Sequence, residues 1–432
     1  IWGDTMQEIE ELTKAIIVGV NTGNEEYFSY QFTELANLCE ARGIEVVDNV
    51  IQNLPHPNNQ SYVGSGKLTE IATLKDAYGI DLIVVLDELS PVQLKNMEDA
   101  LNCEVIDRTM LILEIFQLRA KTKEAILQVE IANLKYMLPR LVGSYTNLSR
   151  IGGGGGGGAG ARRGSGETKL EEDRRHIERR IQKATEELKE IVLSRQVARK
   201  ARKANNTKTV AFVGYTNAGK SSTINTLLNY FDKDSDKQVF VKNMLFATLE
   251  TSTRSIKLPT NQEFLITDTV GFVSNLPHHL IESFKSTLEE IKEADLIVHV
   301  VDASSPYAQT QIATTIEVLN EIGVIDIPTV YALNKVDLVK NKMFLPKVDK
   351  DAILISNETN EGIKDLIEYI KNSLFNDEIT CKLLLPYDKG DIFTTLKEKA
   401  HVHNFSYENN GIVVEVTLSR YLYNLYNKYL KE

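Results

Sequence analysis

Thr209-Val210-Ala211-Phe212-Val213-Gly214-Tyr215-Thr216-Asn217-Ala218-Gly219-Lys220-Ser221-Ser222-Thr223-Ile224-Asn225-Thr226-Leu227-Leu228 decides how the central part of this 432-residue chain folds. The first five residues read as a buried strand and the last seven as the start of a helix. The eight between them, Gly214 to Ser221, fit G-x-x-x-x-G-K-[ST] without a departure. Strand, glycine turn and helix N-terminus together bring backbone N–H groups and the positive end of a helix dipole around phosphate. Lys220 is then expected to reach β- and γ-phosphates, and the Ser221 hydroxyl to ligate Mg²⁺.

Four further stretches complete the pattern. Asn334-Lys335-Val336-Asp337 follows the apolar run Thr329-Val330-Tyr331-Ala332-Leu333. An Asp ending such a loop accepts two hydrogen bonds from guanine N1–H and its exocyclic amine; against adenine it would be buried unpaired, which rejects that base by orders of magnitude. Asn334 is expected to tie the loop to its neighbours, and the stem of Lys335 to lie over the ring face. The strand Glu263-Phe264-Leu265-Ile266-Thr267 ends in Asp268-Thr269-Val270-Gly271. Asp268 there holds Mg²⁺ through water, and the Gly271 N–H meets the γ-phosphate because no side chain intervenes. Phe246-Ala247-Thr248-Leu249-Glu250 offers Thr248 as a switch hydroxyl that ligates Mg²⁺ and senses the γ-phosphate, with Thr251 and Thr253 as nearby alternatives. Ile355-Ser356-Asn357-Glu358 follows another strand and offers backbone N–H groups to guanine O6. Five elements in this order describe a GTPase whose catalytic set is Lys220, Thr248, Asp268 and Gly271, with metal on Ser221 and Thr248.

Phe272 stands directly after Gly271, where a water-orienting Gln is often found. A phenyl ring cannot orient water. The expectation is slow GTP hydrolysis by the chain alone and a partner that orders the switches; the alternative is that Phe272 is a core residue and another side chain positions the water.

Composition sets the remaining bounds. A hydrophobic share of 42% with 25% charged residues is that of a soluble globular protein. Cys39, Cys103 and Cys381 lie far apart without metal-ligand spacing, which suits a reducing cytoplasm. His278-His279 and His401-x-His403 lack zinc spacing and read as surface residues. No apolar run approaches the roughly 20 residues a membrane helix needs, and no secretory signal pattern is present. Ile1 to Thr5, ahead of Met6, read as an added leader and are set aside. The net charge of −11 argues against general nucleic-acid affinity. Its distribution is uneven: Ala161 to Asn205 carries fourteen Lys/Arg and eight Asp/Glu, net +6 against −17 elsewhere. Arg195, Arg199, Lys200, Arg202 and Lys203 stand there unopposed by any acid in the stretch. Charge-laced helices are most often simply solvated faces.

The chain divides into four regions. Residues 1–112 alternate the strands Ala15–Val20, Glu45–Val47, Asp81–Leu86 and Glu104–Ile106 with helices such as Tyr27–Arg42 and Leu68–Tyr78, a small parallel α/β unit. Gly64-Ser65-Gly66-Lys67 lacks the phosphate-loop spacing and reads as a glycine turn into a helix. Residues 113–205 form an antiparallel helical hairpin. Its first helix is expected from about Met110 to Leu138, stopping before Pro139; its second carries an apolar stripe at Leu170, Ile177, Ile181, Ala184, Leu188 and Ile191. Each helix is expected to span about 40 Å. At the tip, the run Gly152, Gly153, Gly154, Gly155, Gly156, Gly157 and Gly158 cannot order itself cheaply. Arg150, Arg162 and Arg163 flank it, and the tip is expected to fold against RNA phosphates and bases. Residues 206–375 are the GTPase domain and residues 376–432 a small α+β domain without a catalytic constellation. The fold class is α/β.

The whole chain after about Thr13 resembles the HflX family of GTPases. The likeness rests on the GTPase signatures together with Tyr62-Val63-Gly64-Ser65-Gly66-Lys67-Leu68, Gln128-Val129-Glu130-Ile131-Ala132, the glycine tract followed by Gly164-Ser165-Gly166-Glu167-Thr168-Lys169-Leu170-Glu171-Glu172-Asp173-Arg174-Arg175, and Phe246–Leu249 with Asp268–Phe272. The resemblance implies a cytoplasmic, monomeric GTPase that binds GTP and GDP with Mg²⁺. It implies binding to the large ribosomal subunit and its rRNA, stimulation by that subunit, and splitting of stalled or idle 70S-type ribosomes, often under heat stress. DNA and integral membrane association are not implied. Two other readings remain: a large-subunit assembly or idling factor, and an rRNA remodeller using ATP at the N-terminal domain. The resemblance supports Phe272 as the normal residue at its position. The unbroken glycine run, Glu250 and Asn357 depart from the family pattern, the last two replacing the more usual Asp and Ala.

Overall fold

The computed structural model describes residues 13–151, 161–204, 207–231, 246, 252–274, 277–284, 288–340 and 345–431. The chain forms two compact units. The first takes the described residues up to Ile191 together with Phe246 and the stretch Ser274–Phe284; the second takes the rest.

In the first unit β1 (Thr13–Asn21), β2 (Ile44–Asn53), β3 (Leu82–Val85) and β4 (Glu104–Asp107) form an all-parallel sheet in the order β2-β1-β3-β4. Helices α1 (Glu25–Arg42), α2 (Ser65–Tyr78), α3 (Pro91–Leu101) and α4 (Arg108–Arg119) alternate with the strands. Both faces of such a sheet are covered, so its strands are nearly continuous apolar runs; Ile16, Val18, Ile83 and Val85 are fully buried. Gly64 is the N-cap of α2, so Gly64–Lys67 is a turn into a helix. The unread helix α3 had a signal: Ser90 and Gln93 form a reciprocal capping box, with Pro91 in the first turn.

The helical region departs from expectation at two points. The first arm is two helices, α4 and then α5 (Lys123–Ile151), because Thr122 starts a new one by accepting from Ala125 N at 3.2 Å. Pro139 does not stop α5; it lies inside it. Proline brings no N–H to its turn, but the Arg140 guanidinium donates from Nη1 to Tyr136 O at 2.9 Å and so supplies a donor there. The second arm, α6 (Ala161–Ala204), has 44 residues, about 66 Å at 1.5 Å per residue and well beyond the expected length. It runs antiparallel to α5, as the pairs Lys123–Glu187 and Arg180–Glu130 require. Leu127, Ile131, Ala184, Leu188 and Ile191 pack between the arms.

In the second unit β5 (Lys208–Val213), β6 (Ser252–Lys257), β7 (Glu263–Asp268), β8 (Leu296–Asp302), β9 (Thr329–Asn334) and β10 (Ala352–Leu354) run in the order β10-β9-β8-β5-β7-β6, parallel except for β6. Helix α7 (Lys220–Phe231) follows β5 directly; α8 (His278–Ser283) belongs to the stretch gathered by the first unit, while α9 (Ala308–Glu321) and α10 (Ile363–Leu374) flank the later strands in sequence. Val210, Phe212, Val298, Val300, Val330 and Ala332 form the central core with Ile224 and Leu227 of α7. A second, antiparallel sheet in this unit has the order β11-β13-β12, from β11 (Ile379–Leu385), β12 (His401–Glu408) and β13 (Gly411–Leu418). Helix α11 (Gly390–Lys399) precedes β12 and α12 (Arg420–Tyr426) closes the chain.

Candidate nucleotide site

The site lies at the carboxyl ends of β5, β7, β8 and β9, beside the point where strand order reverses, which is where parallel α/β sheets receive ligands. Two glycines of the loop after β5 have no substitute. Gly214 holds φ +146°, and a Cβ there would come within 2.2 Å of Val300 O on the neighbouring strand. Gly219 holds φ +96°, and its Cβ would lie 2.2 Å from Asn334 Nδ2. The loop is therefore packed closely against both β8 and the Asn334 loop.

Lys220, the first residue of α7, is buried. Its ammonium donates to Gly214 O at 3.0 Å and Tyr215 O at 2.8 Å. Burial brings its pKa down from 10.5 to about 8, with the Asp268 carboxylate opposing the fall. Ser221 Oγ donates to Asp268 Oδ2 at 2.7 Å, and Asp268 is fully buried at the end of β7. A hydroxyl and a buried carboxylate side by side are hard oxygen donors of the type Mg²⁺ takes. The donor set therefore fits the ion.

After Asp268, Thr269 Oγ1 donates to Phe212 O at 2.6 Å. A Cβ on Gly271 would meet Thr216 Cγ2 at 2.8 Å and Lys220 Nζ at 2.9 Å, so a bare backbone is required beside the lysine. Phe272 is buried, and its backbone pairs with the loop: its N–H donates to Gly214 O at 3.2 Å and its carbonyl accepts from Thr216 N at 2.8 Å. Position 272 thus packs and tethers the loop.

The base-reading loops meet the phosphate loop directly. Asn334 Nδ2 donates to Ala218 O at 2.9 Å. Lys335 holds φ +62°, and its Nζ donates to Asp302 Oδ2 at 2.6 Å. Asp337 is exposed in the turn Val336–Leu338. Ser356 is buried, its Oγ accepting from Thr359 N at 3.2 Å, and Glu358 is exposed. Asn357 does more than offer its backbone. Its Nδ2 donates to Thr223 Oγ1 at 2.9 Å and approaches Gly219 O at 3.4 Å, binding its loop to the start of α7. Among the described residues the buried oxygens Thr216 Oγ1, Asn334 Oδ1 and Asn357 Oδ1 have no hydrogen-bond partner. Three orphaned acceptors around a glycine cradle are what a site holds before its ligand completes it.

Three contributions were missed by sequence reasoning. The Asn357 side chain had no local signal. Asp302 had one: it ends the apolar strand β8 as Asp268 and Asn334 end theirs. His299, buried in β8 against the Tyr331 ring at 5.0 Å, is held neutral by burial, its pKa lowered to about 3.

Other expected residues fall elsewhere. Ala247, Thr248, Leu249, Glu250 and Gly152–Gly158 lie outside the described residues, as does Thr251. Thr253 sits in β6 with its hydroxyl 3.4 Å from that of Thr267. Arg150 is in α5, and Arg162, Arg163, Arg195, Arg199, Lys200, Arg202 and Lys203 are in α6. The expectation that Arg195 is unopposed is corrected: it pairs with Glu290 at 3.3 Å, an acid 95 positions away that local charge counting could not see.

Fold and loops define the class: a P-loop nucleotide hydrolase with a base-reading loop after β9. Comparison with known proteins narrows it. Residues 29–117 match the family described as GTP-binding GTPase N-terminal, residues 119–202 the GTP-binding GTPase Middle Region, and residues 209–335 the 50S ribosome-binding GTPase family. The chain is 41% identical to the GTPase HflX of Caldanaerobacter subterraneus subsp. tengcongensis, covering 97% of this chain and 94% of that protein. It is 35% identical to the GTPase HflX of Escherichia coli K12 over 88% and 87% of the two chains. Among solved structures, a GTP-binding protein of Sulfolobus solfataricus in complex with GDP is 25% identical, with a TM-score of 0.44, over 84% of this chain and 99% of that one. The chain belongs to the HflX family of GTPases and is a GTP-hydrolysing enzyme.

Proposed function

We propose that the protein is a Mg-GTP switch that binds the large ribosomal subunit and dissociates stalled or idle ribosomes in the cytoplasm, under stress, acting as a monomer. What carries the reading is the match of residues 209–335 to a family whose description names the 50S ribosome. The basic end of α6 supports it, since phosphate neutralisation is the general means of holding RNA. In this reading Lys220 leaves the loop carbonyls for the β- and γ-phosphates, and its positive charge offsets the charge spread over the transferred group. Ser221 and Thr248 would hold Mg²⁺, with Asp268 behind Ser221; the ion supplies further neutralisation of the phosphates. The Gly271 N–H meets the terminal phosphate. Asn334, Lys335 and Asp337 with the backbone of Ser356–Glu358 read guanine. Arg150, Arg162, Arg163, Arg199, Lys200, Arg202 and Lys203, with Gly152–Gly158, form the RNA-facing arm within residues 113–205.

Two measurements test this. GTP turnover by the purified chain is low and rises when large subunits are added. Ribosome profiles with the protein and a non-hydrolysable GTP analogue lose the monosome peak; an unchanged peak overturns splitting. Cofractionation with free large subunits without any shift of monosomes leaves the idling role instead. Removing Gly152–Gly158 is expected to weaken ribosome action while nucleotide affinity stays intact.

A further inference from the structure

One helix of the first unit, α4, grips the nucleotide-sensing stretches at three points. At its first turn Arg108 donates from Nη2 to the Ser274 carbonyl at 2.9 Å and the Ser274 hydroxyl at 3.1 Å. The same nitrogen is paired with the Glu34 carboxylate of α1, and Ser274 Oγ donates to Glu34 at 2.6 Å. Glu34, Arg108 and Ser274 are all buried. Two turns further along, the Phe116 ring meets Phe246 edge-on, with centroids 4.6 Å apart and planes at 82°, and Phe284 at 5.0 Å and 75°. Phe246 holds φ +54°, a left-handed conformation that a bulky residue keeps only where its surroundings over-determine it.

The positions of these contacts in the chain give them meaning. Ser274 comes three residues after Gly271, Phe246 two residues before Thr248, and Phe284 directly after α8. A buried ion pair adds little net stability, because desolvating both charges offsets their attraction. What it does supply is registry, since only one placement of Ser274 satisfies guanidinium and carboxylate together.

We propose that α4 is the positioning element of the GTP switch: Arg108 sets Ser274 and thereby Gly271, while Phe116 sets Phe246 and thereby Thr248. The two segments are held in order before nucleotide arrives, so the entropy of ordering them does not weaken GTP binding. GDP lacks the terminal phosphate and gains nothing from that order. The inference rests on the reading above in which Gly271 and Thr248 meet that phosphate.

The experiment titrates the full-length chain, in Mg²⁺, with fluorescent GDP and with a fluorescent non-hydrolysable GTP analogue. Arg108→Lys keeps the charge but loses the planar fork, and Phe116→Leu keeps an apolar side chain; both avoid the risk of an Ala variant that fails to fold. Each is expected to weaken the analogue about tenfold while leaving GDP within about twofold. The double variant is expected to lose less than the product of the two, as for parts of one device. Gly271→Ala is the control and also loses the analogue selectively. If Gly271→Ala does so while both α4 variants keep the parent's analogue-to-GDP ratio, the role of α4 is overturned and the phosphate reading survives. If Gly271→Ala leaves the ratio unchanged, the phosphate reading itself fails. Equal weakening of both nucleotides by the α4 variants means a purely structural helix and likewise overturns the proposal.

Discussion

At the point where strand order reverses in the four-stranded sheet, between the carboxyl ends of β1 and β3, stands the Tyr62 hydroxyl. It accepts from Val20 N at 3.0 Å and donates to Asp87 at 2.6 Å. In the six-stranded sheet the loop after β5 stands at the corresponding place, a cradle with bare glycines and three buried oxygens without partners among the described residues. Both sheets are parallel α/β layers, and both have a helix opened by glycine and lysine, at Gly64–Lys67 and Gly214–Ser221. The difference is in the polar groups. Tyr62 closes the first crevice and is held there in a left-handed conformation, φ +65°, with its own hydroxyl satisfied. The second crevice leaves acceptors and an ammonium unsettled until phosphate and base arrive. A fold offers the crevice; what satisfies the polar atoms decides whether it becomes a site.

The sharpest way to break this comparison is to remove one lysine from each sheet. Lys220→Ala is expected to lower GTP turnover by at least about 100-fold, and Lys67→Ala to leave it within about twofold. ATP turnover that survives Lys220→Ala would place a nucleotide in the first sheet. Asp337→Asn is next in size. It exchanges two acceptors for one acceptor and one donor, so affinity for GTP falls at least about tenfold and preference over ATP narrows in competition titrations.

Protonation gives a third effect. With Lys220 at about pKa 8 in the free protein, phosphate beside it raises that value, so binding above pH 8 takes up a proton. GTP affinity should be flat below about pH 8 and fall above it by up to about tenfold per pH unit; a flat profile to pH 9.5 would remove the buried ammonium from binding. The smallest effect on nucleotide is the fourth. Tyr62→Phe leaves Val20 N–H and Asp87 without the hydroxyl and is expected to cost about 1–3 kcal/mol in denaturant unfolding, with GTP affinity unchanged. His299 adds a dependence of its own. Its folded pKa of about 3 lies below the ordinary 6.5, so the unfolded chain binds the extra proton and stability falls as pH drops from 6.5 toward 3. His299→Leu should flatten thermal melts across that window.

Much of the fold was legible because its signals are local. Continuous apolar runs marked β1, β5, β7 and β9, and the glycine loop with the lysine that opens α7 lies within twenty consecutive residues. Legibility failed where a local rule met a distant partner. Proline predicted the end of α5, yet Arg140 supplies a donor in that turn and the helix continues. Arg195 looked unopposed because Glu290 is 95 positions away. Asn357 looked like a harmless replacement because its backbone alone was considered.

The sequence by itself determined the chemistry of the nucleotide loop, its order along the chain and the family, since each rests on residues a few positions apart whose backbone conformations are coupled directly. Tertiary structure alone decided that Asn357 would bind its loop to the start of α7, and that Arg108 would reach Ser274 across 166 positions. Such contacts follow from where the completed sheets and helices put their ends. A hydrogen bond a few ångströms long leaves no periodicity or spacing in the residues between its partners.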